Sequence, residues 1–190
     1  MRACALVLVV LVSVFASAQV RLRKLTIGPK EVYELKSSDI IVVDTLVMMD
    51  SSRLLLNKLK LDNFLHAKVA IFHRGCLIDG KGAAGIPGKV GRSGSATVSP
   101  CSDGGRGHKG SDGTNGGHGL NFFFYYSVIV VKGPVTIDVS GGDAGDGGDG
   151  GTGGGGGPGT RICPGGNGGP GGPGSSGGKG GHAGKIVFSS

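Results

Sequence analysis

The chain has 190 residues, 42 of them glycine, and a formal net charge of +7. That length suits one ordinary domain. The cations are scattered, with no aromatic residues between them, which argues against a nucleic-acid surface and leaves solubility or contact with anionic surfaces as the use of the charge.

The first residues read as a secretory signal. Arg2 supplies a positive start, Ala5 to Phe15 is an apolar run broken only by Ser13, and Ala16-Ser17-Ala18 is a small-x-small cleavage site. The run is too short to span a bilayer comfortably. A mature chain beginning at Gln19 is expected, secreted or at the cell surface, with no stable membrane insertion. Export places Cys76, Cys101 and Cys163 in a compartment that permits disulfides. Three is an odd count, so one thiol stays free or pairs between chains.

Residues 19–81 form a strand-rich region. Leu22–Ile27, Ile40–Val43, Thr45–Met49, Arg53–Asn57, Ala67–Phe72 and Leu77–Ile78 are apolar or β-branched stretches. Asp44, Asp50-Ser51-Ser52 and His73-Arg74-Gly75 read as corners, and Asp62 to Phe64 as a helical turn or a longer corner. Short strands with tight polar corners suggest an all-β base, either a β-solenoid or a sandwich, with little or no α-helix after the signal. The basic Gln19–Lys30 segment could pair with another copy by strand addition.

Residues 82–184 alternate glycine tracts with further strands. Glycine recurs every third residue at Gly82–Gly94, Gly104–Gly119, Gly142–Gly157 and Gly165–Gly180. A period of three is neither helical nor strand-like and fits polyproline II, which has three residues per turn. A sixteen-residue tract at about 3.1 Å per residue would run roughly 50 Å. One bare face on each helix lets neighbouring backbones touch, so a bundle of four inserted tracts is expected. Flexible linker and collagen trimer are the rivals. Linker has no reason to hold register, and prolines inside the tracts (Pro87, Pro158, Pro170, Pro173) are sparse for collagen.

The breaks at 95–103 and 158–164 read as hairpin tips, each holding one cysteine. Hairpins lying side by side bring the tips together, which predicts a Cys101–Cys163 disulfide. Cys76, between apolar neighbours, is expected to be a buried thiol. Leu120–Tyr126, Val128–Val131 and Val135–Val139 read as strands between the hairpins, with Lys132-Gly133-Pro134 as a turn, and residues 185–190 as a closing strand. Phe122, Phe124 and Tyr126, in the aromatic cluster 122–126, are a candidate interaction surface.

The tracts, with Gly82-Ala83-Ala84-Gly85-Ile86-Pro87-Gly88 and Gly165-Gly166-Asn167-Gly168-Gly169-Pro170-Gly171 as examples, resemble the glycine-rich springtail-type antifreeze proteins. They also resemble the glycine-rich bundles of some bacteriophage tail-tip adhesins. The resemblance covers the tracts only. It implies layers of short polyproline-II helices tied by disulfides, with either an ice-binding face or receptor-contacting loops at one end.

Catalytic and cofactor signals are weak throughout. The histidines are isolated, with no zinc-type spacing. Matches to G-x-G-x-x-G carry no information in so glycine-rich a chain and lack a flanking strand and helix. Nothing pairs a nucleophile with a base, so no enzyme activity and no cofactor are expected. Asp143, Asp146 and Asp149 share one face of a tract and are a candidate cation column, with pairing to Lys89/Arg92 or Arg106/Lys109 as the plainer use. The reading that emerges is a secreted non-enzymatic structural or surface-interaction protein, self-associating as a fibre subunit or acting as an adhesin. Ice binding is the alternative.

Overall fold

The computed structural model describes residues 20–35 and 40–190. The expected signal peptide, residues 1–18, and Gln19 lie outside the described residues. Among the described residues there is no α-helix; the regular elements are the strands β1 (Val20–Ile27), β2 (Val32–Glu34), β3 (Ile40–Met48), β4 (Arg53–Leu55), β5 (Asp62–Phe72), β6 (Cys76–Asp79), β7 (Asn121–Val131), β8 (Val135–Asp138) and β9 (Ile186–Ser189).

The strands alternate between two parallel sheets. One has the order β1-β3-β5-β7-β9, the other β2-β4-β6-β8. Each strand therefore lies on the one two elements earlier, in unbroken register: Leu22 on Val43, Val43 on Ala67, Ala67 on Tyr126. The alternation of apolar and polar residues decides which side faces in. Leu25, Ile27, Ile41, Val43, Leu46, Met48, Leu65, Ala67, Ala70, Phe72, Phe122 and Phe124 come from the larger sheet. They pack with Leu54, Cys76 and Ile78 from the smaller one in a single buried core.

The corner between the sheets repeats as well. Lys30, Ser51 and Gly75 all take positive φ, at 59°, 57° and 72°. The N–H groups of all three are bonded to the next turn of chain: Lys30 to the Asp50 carbonyl, Ser51 to that of Arg74, Gly75 to that of Pro134. Only at Gly75 is the left-handed conformation free of a Cβ penalty.

Several boundaries differ from the sequence reading. Asp44 is no corner. It sits inside β3, so the two expected strands around it are one, and its carboxylate meets the Lys68 ammonium at 2.7 Å on the outer face. Lys68 holds the Asp44 carboxyl below its usual range, first by hydrogen bonding and then by charge. Asp62 to Phe64 opens β5 and is neither a corner nor a helical turn. The expected strands on either side of Ser127 likewise merge into β7. At Asp44 and Ser127 one polar residue faces outward within a strand: the pairing skips it and resumes in the same register, and at Asp44 the inward-facing row shifts from Ile41 and Val43 to Leu46 and Met48.

Leu46 is fully buried at the centre of this core. Leu46→Ala should cost about 2–5 kcal/mol of stability, read from the shift of the urea unfolding midpoint.

Candidate functional site

Between β6 and β7, and again between β8 and β9, the chain leaves the sheets as an extended hairpin of two glycine tracts. The tracts contain neither helix nor strand, yet their backbones are bonded throughout. The first tract donates to the third at constant separation: Gly82 to the Ser140 carbonyl (2.9 Å), Gly85 to Asp143 (2.7 Å), Gly88 to Asp146 (2.7 Å), Gly91 to Asp149 (2.8 Å). The second donates to the fourth in the same way, Gly107 to Pro170 and Gly116 to Lys179 among them. Antiparallel bonds join the rest. Thr114 donates to Ile86 between the first and second tracts, Gly148 to Ser111 between the third and second, and Gly172 to Gly151 between the fourth and third.

Two hairpins are thus stacked one on the other, in the same order as the strands they join. Glycine is required by contact. A Cβ at Gly85, Gly88, Gly107, Gly110, Gly148 or Gly151 would lie closer than 3.0 Å to a neighbouring backbone atom, nearer than carbon can approach.

In the fourth tract the packed row is not the expected one. Gly166, Gly169, Gly172, Gly178 and Gly181, with Ser175 between them, donate their N–H groups to the third tract, and a Cβ on any of these glycines would meet a carbonyl of the second. The expected series from Gly165 to Gly180 lies one residue off and faces outward. There a Cβ at Gly168, Gly171, Gly174 or Gly180 would find its nearest backbone atom at 3.7–3.8 Å, an ordinary contact. The tract carries two glycine rows, so composition does not say which one packs; the pairing of β9 on β7 does.

A polar ladder locks the second and fourth tracts. Side chains of Asp103, Asp112, Asn115, His118 and Asn121 accept the backbone N–H of the residue 64 positions on: Asn167, Ser176, Lys179, His182 and Lys185. The two rungs between Asp103 and Asp112 hold Arg106 and Lys109, which carry no acceptor. The residues 64 positions on from these two are Pro170 and Pro173, which have no N–H to satisfy. His118 and His182 also stack, ring centroids 5.1 Å apart. Between the first and second tracts Thr114 and Ser111 accept from the N–H of Ile86 and Lys89, both at 2.7 Å.

At the far tips a disulfide joins Cys101 to Cys163, as the hairpin geometry predicts, with Cα atoms 6.0 Å apart. The Thr160 hydroxyl lies 3.3 Å from the Cys163 sulfur. Val98 and Ile162 project beside the bridge, 90% and 95% exposed. Cys76 is a buried free thiol, as expected, with its sulfur 3.1 Å from the His73 carbonyl oxygen.

Other candidates change character. Phe122 and Phe124 are core, each 1% exposed, and so form no surface; Tyr126 is partly buried against them. In a strand with one face on the core, alternate residues go inward, and these three fall on that side. Asp143, Asp146 and Asp149 line the outside of the third tract in a row rather than around a common point. Asp143 meets Lys81 at 3.8 Å, not Lys89, Arg92, Arg106 or Lys109. Lys109 instead lies 3.8 Å from Asp112 within its own tract. Among the described residues no group of three or more His, Cys, Asp or Glu side chains converges on a metal position. No helix of the described residues is long and apolar enough to cross a membrane.

Two features were missed by sequence reasoning. One is the outward glycine row of the fourth tract. The other is the apolar end of β7 and β8, where a cleft of about 180 Å³ opens among Phe72, Ile78, Phe124, Ile129, Val135 and Ile137. The run of uncharged residues Tyr126 to Val131 was a legible signal for the second.

No protein family, curated protein or solved structure matches the chain.

The packing separates two kinds of glycine by experiment. Gly148→Ala should abolish protection of the tract amides from hydrogen exchange, because the methyl meets backbone. Gly171→Ala should leave that protection and the melting temperature within the range of ordinary surface substitutions, about 0.5 kcal/mol.

Asp112 gives a pH test. Hydrogen bonds from the Ser175 hydroxyl and then the Ser176 N–H, followed by the Lys109 charge, hold its carboxyl below 3.8. A depressed folded value stabilises above 3.8 and is lost as pH falls through it. Thermal melts should therefore show bundle stability declining below about pH 4, and Asp112→Asn should flatten part of that decline.

Proposed function

We propose that this chain is a secreted, non-enzymatic extracellular protein: a parallel β-solenoid carrying a rigid arm of four polyproline-II helices, used for surface interaction and self-association. The reading follows the chain upward from its backbone. Strands stacked in constant register are what a solenoid requires, and the same register runs on into the tracts. The observation that carries the proposal is the unbroken ladder of glycine N–H bonds from β6 and β8 out to the tips. Such a ladder makes the tracts an arm instead of a tether.

Three further features support an extracellular interaction role. The Cys101–Cys163 bridge suits an oxidising compartment and closes the arm at its far end, where Val98 and Ile162 are displayed. A bridge closing a loop of this size stabilises by about 4 kcal/mol in the chain-entropy model, which matters in an arm with almost no apolar core. The N-terminal eighteen residues read as an export signal. Among the described residues no cluster of side chains offers a reaction.

Ice binding is a second reading, favoured by one observation. The outward row of the fourth tract, Gly168, Gly171, Gly174 and Gly180, carries no side chain and makes a bare strip.

Expression with export should yield a mature chain starting at Gln19 in the medium, read by N-terminal sequencing. Small-angle scattering of that oxidised chain should show a stiff arm roughly 50 Å long, and sedimentation should show association. A flexible arm or a strictly monomeric chain would count against the proposal. Thermal hysteresis from a monomer would move the assignment to ice binding.

A further inference from the structure

We propose that two copies of this chain pair about a two-fold axis through one end of the molecule, formed by the free edges of β7 and β8 and by the outward glycine row of the fourth tract. This rests on the self-association reading above and names its surface and its partner.

The two ends of the sheets are unlike. At one end β9 covers only Phe122 to Tyr125 of β7. From Tyr126 to Val131, β7 is bonded to β5 on one side and to no strand of the described residues on the other. This stretch has no charge and no proline, and Val128, Ile129, Val130 and Val131 are 50%, 37%, 39% and 57% exposed. An uncharged β-branched edge is a template for another strand. At the opposite end the edge strand is β1, which carries Arg21, Arg23 and Lys24. Charges on an edge strand keep other strands away.

The bundle repeats this asymmetry. Gly104, Gly107, Gly110 and Gly116 of the second tract donate their N–H groups to the fourth. The residues 64 positions on, Gly168, Gly171, Gly174 and Gly180, hold the same place one layer further out, as the ladder between Asn115 and Lys179 shows. Their N–H groups have no acceptor among the described residues. The chain's own packing would also admit side chains at these four positions. They are therefore dressed for a neighbour that the chain itself does not supply. On the far side, the first tract presents Ala83, Ile86, Lys89, Arg92 and Ser95 where a further layer would need glycine.

Open sheet edge and open glycine row belong to the same last layer, and the blunted features belong to the first strand and the first tract. Head-to-tail stacking would set the charged β1 edge on the apolar one. It would leave the glycine row bare, because the connection that would lie over it, residues 35–39 between β2 and β3, is too short to carry a tract. A second copy meeting like end with like end covers both open features at once and gives a closed, finite dimer.

The test is sedimentation velocity of the oxidised mature chain up to about 100 µM. A dimer is expected. Val128→Lys with Val130→Lys, and separately Gly171→Leu with Gly174→Leu, should each weaken it at least about tenfold while the monomer's circular dichroism and melting temperature hold. The glycine pair keeps the test valid should the valine pair fail to fold. Arg21→Glu with Lys24→Glu on β1 should change nothing. A dimer indifferent to the folded variants, sensitivity to the β1 pair, or polymers that lengthen with concentration would overturn this interface while leaving self-association standing. A wild-type monomer at the highest concentration would overturn both.

Discussion

The structure depends on how closely two backbones can approach. A hydrogen bond between extended tracts lying side by side needs each to enter the space where the other's Cβ would stand. Wherever a carbonyl of one tract faces Gly88, Gly107 or Gly148 of another, a single methyl would occupy the same volume as backbone. The net worth of one such bond is only about 1 kcal/mol. The tracts hold because the bonds come in register along their full length and because four tracts supply each other's partners. Glycine brings a cost in unfolded-state entropy that an arm without an apolar core must offset. The tip disulfide and the side-chain ladder serve that end.

The sheets do more than anchor the arm. They set its register. β9 lies on β7 with Ile186 opposite Phe122, and the same separation of 64 residues fixes which side chain of the second tract meets which N–H of the fourth. That ladder explains a feature of composition that looks arbitrary along the chain. Prolines fall at 170 and 173 because the opposing side chains, Arg106 and Lys109, cannot accept a bond. Elsewhere the opposing residues are Asp, Asn or His, and the fourth tract keeps its N–H groups.

The same construction gives the molecule direction. Each layer is laid on the one before, so the first and last layers differ in what they leave uncovered. Charge on β1 and side chains on the first tract finish one end. Bare backbone and uncharged valines leave the other unfinished. The proposed self-association rests on that difference, not on any single motif.

The sequence by itself determined the all-β class, the four tracts and their period, the two hairpin tips and the Cys101–Cys163 pairing. It could do so because each is written in local spacing: a missing side chain every third residue, one cysteine at each break. It also marked Cys76 as buried, from its apolar neighbours. What it left undecided were facts about alternatives equal in local pattern. The fourth tract has two glycine rows, and only its stacking on the second and third selects the row from Gly166. Asp44 and Ser127 read as interruptions until neighbouring strands show them as outward residues that the pairing skips before resuming in the same register. Phe122 and Phe124 alternate with Phe123 and Tyr125, and period alone does not say which pair faces the core. Those choices belong to tertiary structure because each is settled by a residue dozens of positions away, through contact distance and hydrogen-bond pairing.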